Sequence, residues 1–79
     1  MADFVLFGTE ACHLCEEAEQ LIHNASLSFE KHDIIDDAQL QRRYAVRIPV
    51  LSHTDSGREL GWPFSAEQLR EFVSQTKST

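Results

Sequence analysis

At 79 residues, with 42% hydrophobic and 25% charged positions, the chain has room for one globular domain, 1–79, near the size where a single core is only marginally stabilising. A second domain is excluded, and no run approaches the ~20 apolar residues that span a bilayer. The net charge of −6 argues against nucleic acid, whose phosphates call for a positive surface.

Phe4-Val5-Leu6-Phe7-Gly8 is an apolar run closed by glycine, which fits a central strand buried on both faces. It is too short for a signal peptide and follows Asp3 instead of a cation, so the expected compartment is the cytoplasm. Thr9-Glu10-Ala11 is then a turn. Leu14, Ala18, Leu21, Ile22 and Ala25 follow at the spacing of one helix face, and Asn24 to Ser28 supply cap and turn residues. Leu27, Phe29 and Lys31 alternate with polar residues before Ile34-Ile35, the pattern of an edge strand.

Asp36 or Asp37 is placed to cap a short helix carrying Leu40 and Tyr44, with Arg42-Arg43 on its solvated side. Ile48-Pro49-Val50-Leu51 cannot be helical at the proline and predicts a strand beginning there. Ser52 to Gly57 turns the chain, and Arg58-Glu59-Leu60 returns as an antiparallel partner. After Gly61-Trp62-Pro63-Phe64, Ser65 and Gln68 form a capping box before Leu69, Phe72 and Val73 at helical spacing. The polar tail from Ser74 is expected to fray. The order is βαβαββα: a right-handed βαβ unit, a hairpin and a covering helix.

The only two cysteines, Cys12 and Cys15, fall where the first strand gives way to the first helix. Unpaired N–H groups at a helix start favour a thiolate, so Cys12 is expected to titrate below the free value of ~8.5. A bridge three positions long closes almost no loop, which points to redox chemistry or a metal in place of a structural staple. Tetrahedral zinc needs two further ligands, and no second Cys-x-x-Cys or His-x-x-x-His exists. No metal and no tightly bound cofactor is expected. Cys12 is read as the nucleophile and Cys15 as the resolving thiol. His13 sits between them as a candidate partner of the Cys12 thiolate or a solvent-exposed spacer, and His23, His32 and His53 as surface residues.

With Cys12-His13-Leu14-Cys15 after the first strand, Tyr44 to Leu51 after the second helix, and Gly61 before the last helix, the whole chain resembles a glutaredoxin, in particular bacterial glutaredoxin-like proteins with a Cys-x-Leu-Cys motif. The resemblance implies a thioredoxin-like α/β fold, a four-stranded mixed sheet flanked by three helices, with the first strand and the proline strand at its centre. It implies a cis Ile48-Pro49 bond against the dithiol, and a substrate groove built by His13, Arg47, Ile48, Pro49, Gly61 and Trp62, in which the Ile48 backbone meets a bound peptide as an added strand. Trp62 is read equally as a cleft wall or a core aromatic.

Two features depart from glutathione-using members. Gly61-Trp62-Pro63-Phe64-Ser65 replaces the Gly-Gly turn and Asp pair, and Glu10 stands where a cation commonly precedes the first cysteine. Both remove contacts for an anionic tripeptide, so glutathione is disfavoured even as an external reductant. Arg47 is the nearby cation that could offset the loss. The expected partners are protein disulfides and an unidentified reductant, acting on a monomer. The alternative is a non-enzymatic thioredoxin-fold binding module, or a protein that shares a metal or iron–sulfur cluster between two chains.

Overall fold

The computed structural model describes residues 3–10 and 12–77, so Ala11 of the predicted turn and the last two residues of the tail lie outside the described residues. The elements are β1 (Phe4–Gly8), α1 (His13–Asn24), β2 (Glu30–Asp33), a 3-10 turn (Ile34–Asp36), α2 (Ala38–Tyr44), β3 (Val50–His53), β4 (Glu59–Gly61) and α3 (Ala66–Lys77). The strands form one mixed sheet in the order β2-β1-β3-β4. β1 runs parallel to β2 and antiparallel to β3, and β3 runs antiparallel to β4. The apolar run thus becomes an interior strand and the next strand an edge, as expected, although that strand spans Glu30–Asp33, so Leu27 and Phe29 of the alternating pattern precede it.

Successive residues of β1 and β3 serve opposite faces of the sheet. Phe4, Leu6 and Leu51 pack with Ala18 and Ile22 of α1 and with Leu69 and Phe72 of α3. Phe7 and Val50 pack on the other face with Ile34, Leu40 and Tyr44. Two helices therefore cover one face and the shorter α2 the other, giving the mixed four-stranded sheet with three helices of a thioredoxin-like fold.

The ends of the helices follow from local chemistry. The Cys12 sulfur caps α1 by accepting from the Cys15 N–H at 3.2 Å. Asp37 caps α2, its carboxylate accepting from Gln39 and Leu40. Ser65 and Gln68 close the predicted box reciprocally, at 2.9 and 3.1 Å. α1 ends with Ser26 in the left-handed region, φ 57°, while the Ser26 and Leu27 N–H groups donate to the carbonyls of His23 and Ile22.

Several expectations are corrected. Leu14 faces solvent and Cys15 takes its place on the buried stripe with Ala18 and Ile22, because positions 15, 18 and 22 align along one helical face. Ala25, expected on the same face, is exposed. Ile34 and Ile35 turn into a 3-10 segment with the Asp33 carboxylate accepting the Ile35 N–H. The helix expected to fray at Ser74 continues to Lys77. His53 is 8% exposed, not on the surface, its ring 5.1 Å from that of Phe4 on the neighbouring strand.

Candidate active site

Cys12 and Cys15 are joined as a disulfide, with Cα atoms 5.2 Å apart, inside the ~4.4–6.8 Å that such a bridge spans. Their exposure differs. Cys12 is half-buried at the helix cap, whereas Cys15, one turn in, is 4% exposed. Only the first sulfur is open to attack by, or on, a large partner.

Behind the pair lies Gly8, the last residue of β1. A Cβ built there would stand 2.8 Å from the Cys15 sulfur and 3.3 Å from its Cβ. The glycine that closes the apolar run therefore does more than end a strand: its missing side chain is the space the second sulfur occupies. Sequence reasoning missed this role, although a glycine at the strand end facing a Cys-x-x-Cys is the signal that could have found it.

A cavity of about 400 Å³ opens on both sulfurs, with Leu6, Gly8 and Thr9 in its wall. It continues toward β2, on the side away from β3. None of the predicted groove residues His13, Arg47, Ile48, Pro49, Gly61 or Trp62 lines it.

Those residues form two other groups. Pro49 is fully buried, its carbonyl accepts the Trp62 N–H at 3.1 Å, and Gly61 pairs with Val50. The β1 and β3 ladder sets Phe7 opposite Val50, so Gly8 and Pro49 come next at the same end of the sheet. The Ile48-Pro49 bond is cis, as the resemblance implies, and so is Trp62-Pro63. Trp62 is half-buried, edge-on to Phe64 and packed against the main core, which fits both roles considered for it. The Ile48 N–H donates to the Tyr44 carbonyl at 3.0 Å, so the amide proposed to meet a bound strand is already bonded. His13 points outward and lies 3.8 and 3.9 Å from Glu16 and Glu17.

Arg47 belongs to a charged cluster on β4. Its guanidinium donates to Glu59 at 3.1 Å, Arg43 lies 3.9 Å from the same carboxylate, and the Tyr44 hydroxyl donates to it. Both guanidinium groups lie over the Tyr44 ring, which stacks on Phe7 at 4.5 Å. Burial raises the Glu59 pKa, but hydrogen bonds from Tyr44 and Arg47 and the charges of Arg47 and Arg43 outweigh it and hold the carboxyl below its usual 4.5. Burial, then the hydrogen bond and charge of Glu59, push the Tyr44 hydroxyl above 10.0.

A depressed carboxyl contributes stability that is present above its unfolded value and lost as pH falls through the folded one. Acid unfolding followed by circular dichroism is thus expected to show stability declining below about pH 4.5. Glu59→Gln should cost about 1 kcal/mol at pH 7 and narrow its gap to wild type as the pH drops. A constant gap down to pH 2.5 would refute this.

The family described as Glutaredoxin-like domain (DUF836) matches residues 3–74. Among solved structures, the solution structure of XcR50 from X. campestris is 38% identical over 100% of both chains, with a TM-score of 0.86. Ne2328 from Nitrosomonas europaea is 26% identical, with 90% of this chain and 89% of that chain covered and a TM-score of 0.77. The glutaredoxin of Archaeoglobus fulgidus is 17% identical over 92% and 87% of the two chains, with a TM-score of 0.66, a likeness of fold. No curated protein matches the chain. Among the described residues, no group of three or more His, Cys, Asp or Glu is arranged to hold a metal ion, and no helix is long and apolar enough to cross a membrane.

Proposed function

Because the chain belongs to the Glutaredoxin-like domain family, we propose that it is a cytoplasmic, monomeric thiol-disulfide oxidoreductase acting on protein disulfides by a dithiol mechanism. The observation that carries this is the asymmetric exposure of a bridged Cys12-Cys15 pair at a helix start that opens on a cavity.

In the reduced protein the Cys12 thiolate, favoured by the N–H groups of the α1 N-terminus, attacks one sulfur of the substrate disulfide. That bond breaks, one half leaves as a thiolate that takes a proton from water, and the other is joined to Cys12. The Cys15 thiolate then attacks the Cys12 sulfur. The second half leaves as a thiolate that takes a proton; the two electrons gained by the substrate come from Cys12 and Cys15, which are left joined as a disulfide that an external thiol reductant returns to the dithiol. Glutathione is the disfavoured reductant, since an anion gains little from the setting described above.

Pro49, Gly61 and Trp62 offer a substrate wall at the same sheet end, with the Ile48 carbonyl as a backbone acceptor and Arg47 at its margin. His13 is exposed on the first turn of α1, beside Cys12 in the chain.

The test is a redox titration of the purified protein. A reversible two-electron couple at roughly −200 to −270 mV is expected, the range from glutaredoxins to thioredoxin. A couple far outside that range with no turnover of a test disulfide would overturn the proposal, and a coloured, metal-bearing dimer after anaerobic purification would support cluster sharing instead.

A further inference from the structure

The walls of the cavity beside the sulfurs carry charge of one sign. Glu10 from the β1–α1 turn, Glu16 and Glu19 from α1, and Asp33 from the end of β2 all line it. Against these four carboxylates stands one permanent cation among the described lining residues, Lys31, and it is held by Glu19 at 3.2 Å. His32 completes the β2 wall. The start of α1 with the turn before it, and the end of β2 some fifteen residues on, therefore bring an excess of three negative charges to the space beside Cys12. A concave, partly desolvated site focuses such a field more strongly than an open helix face does.

We propose that this cavity makes the protein selective for disulfides flanked by lysine or arginine side chains, and that an acidic or anionic disulfide is repelled. The proposal rests on the redox function above and names its substrate class. Glu10 and Glu16, both exposed at the rim beside Cys12, are the specificity residues. Glu19 and Asp33 are tied to Lys31 and to the Ile35 N–H and supply the standing field. An incoming cation finds the carboxylates of Glu10 and Glu16 lining the same cavity as Cys12. The same field slows the approach of any anionic thiol or disulfide, which connects the cavity to the disfavoured glutathione.

The experiment measures the first half-reaction alone. Reduced Cys15→Ser protein is mixed with two cystine-bridged peptides of identical length, one flanked by Arg and the other by Glu. The Cys12 mixed disulfide is followed by mass spectrometry. Each rate is divided by that of the same peptide with mercaptoethanol, which removes the intrinsic effect of flanking charge on the disulfide.

The normalised rate should be about tenfold higher for the Arg peptide at low ionic strength. It should fall toward parity in 1 M salt, where the screening length shrinks to ~3 Å, and in the Glu10→Gln, Glu16→Gln double variant. Equal rates for the two peptides at low salt, or a preference that survives both 1 M salt and the double variant, would overturn it. The same comparison with reduced wild type guards against misfolding of the serine variant. Wild type that cycles on both peptides at equal normalised rates removes the charge selection and leaves the redox function intact. Wild type that forms no mixed disulfide and releases no thiol removes both.

Discussion

Cys12→Ser is expected to abolish reduction of a test disulfide, by at least about a thousandfold, whereas Cys15→Ser should still attack and then stall. A serine hydroxyl at neutral pH is almost wholly protonated, while a cysteine carries at least a few per cent thiolate, more at a helix start. Position 12 therefore cannot be replaced without losing the nucleophile. Position 15 is different. The residue is 4% exposed and its sulfur meets Gly8 behind it, so a partner disulfide in solution reaches Cys12 and not Cys15. Without it the mixed disulfide has no intramolecular exit and should accumulate as a covalent adduct at Cys12, visible by mass spectrometry. An adduct mapped to the second sulfur in Cys12→Ser, with turnover near wild type, would reverse the assigned order.

The exposure difference that this prediction uses follows from spacing. Residues 15, 18 and 22 share a helical face, and once the stripe of α1 is turned to the sheet Cys15 must be buried and Cys12 must stand at the cap. The helix start at Cys12 was legible in the chain, as were a cap at Asp36 or Asp37, the Ser65 and Gln68 box and the central position of β1; the burial of Cys15 was not, because the apolar Leu14 drew the stripe one position off. Local chemistry determines each of these within a few residues.

What was not legible depends on strand pairing. His53 has polar neighbours on both sides, and its burial comes from Phe4, opposite it on a strand nearly fifty residues earlier. Arg47 was read as a free cation near the cleft, but the β3–β4 hairpin brings Glu59 to it and to Tyr44, so its charge is already matched. The acidic cavity is similar: Lys31 and Asp33 reach the cysteines only because β2 pairs in parallel with β1, setting Asp33 beside Gly8. The groove inferred from family likeness lies on the β3 side of Gly8, and the cavity on the β2 side. On the proposed function, the acidic cavity would meet one flank of a substrate and the residues around Pro49, at the same end of the sheet, the other.

Gly8→Ala should lower stability by about 2–3 kcal/mol, the upper part of the range for overpacking. The opposing effect is known in size. Replacing glycine in a strand whose φ is not positive would by itself add about 0.4–1 kcal/mol by restricting the unfolded chain, and Gly8 is not among the positive-φ residues. A methyl carbon 2.8 Å from a sulfur is far inside contact distance, and this sulfur cannot swing aside, because it is buried and bonded to Cys12. Repulsion therefore wins.

In the dithiol form the Cys15 side chain regains some freedom, so the oxidised state should suffer more than the reduced one. The difference should appear as a more positive midpoint potential, by about 30 mV for every 1.4 kcal/mol by which the two losses differ. Denaturant unfolding of both redox forms, set beside a redox titration, measures the two quantities independently, and thermodynamic linkage requires them to agree. Gly8→Val, with two further carbons in the same space, should exceed the alanine effect in both. An alanine variant as stable as wild type in its oxidised form, with an unchanged potential, would mean that Cys15 has room to move, and that Gly8 does not set the position of the second sulfur.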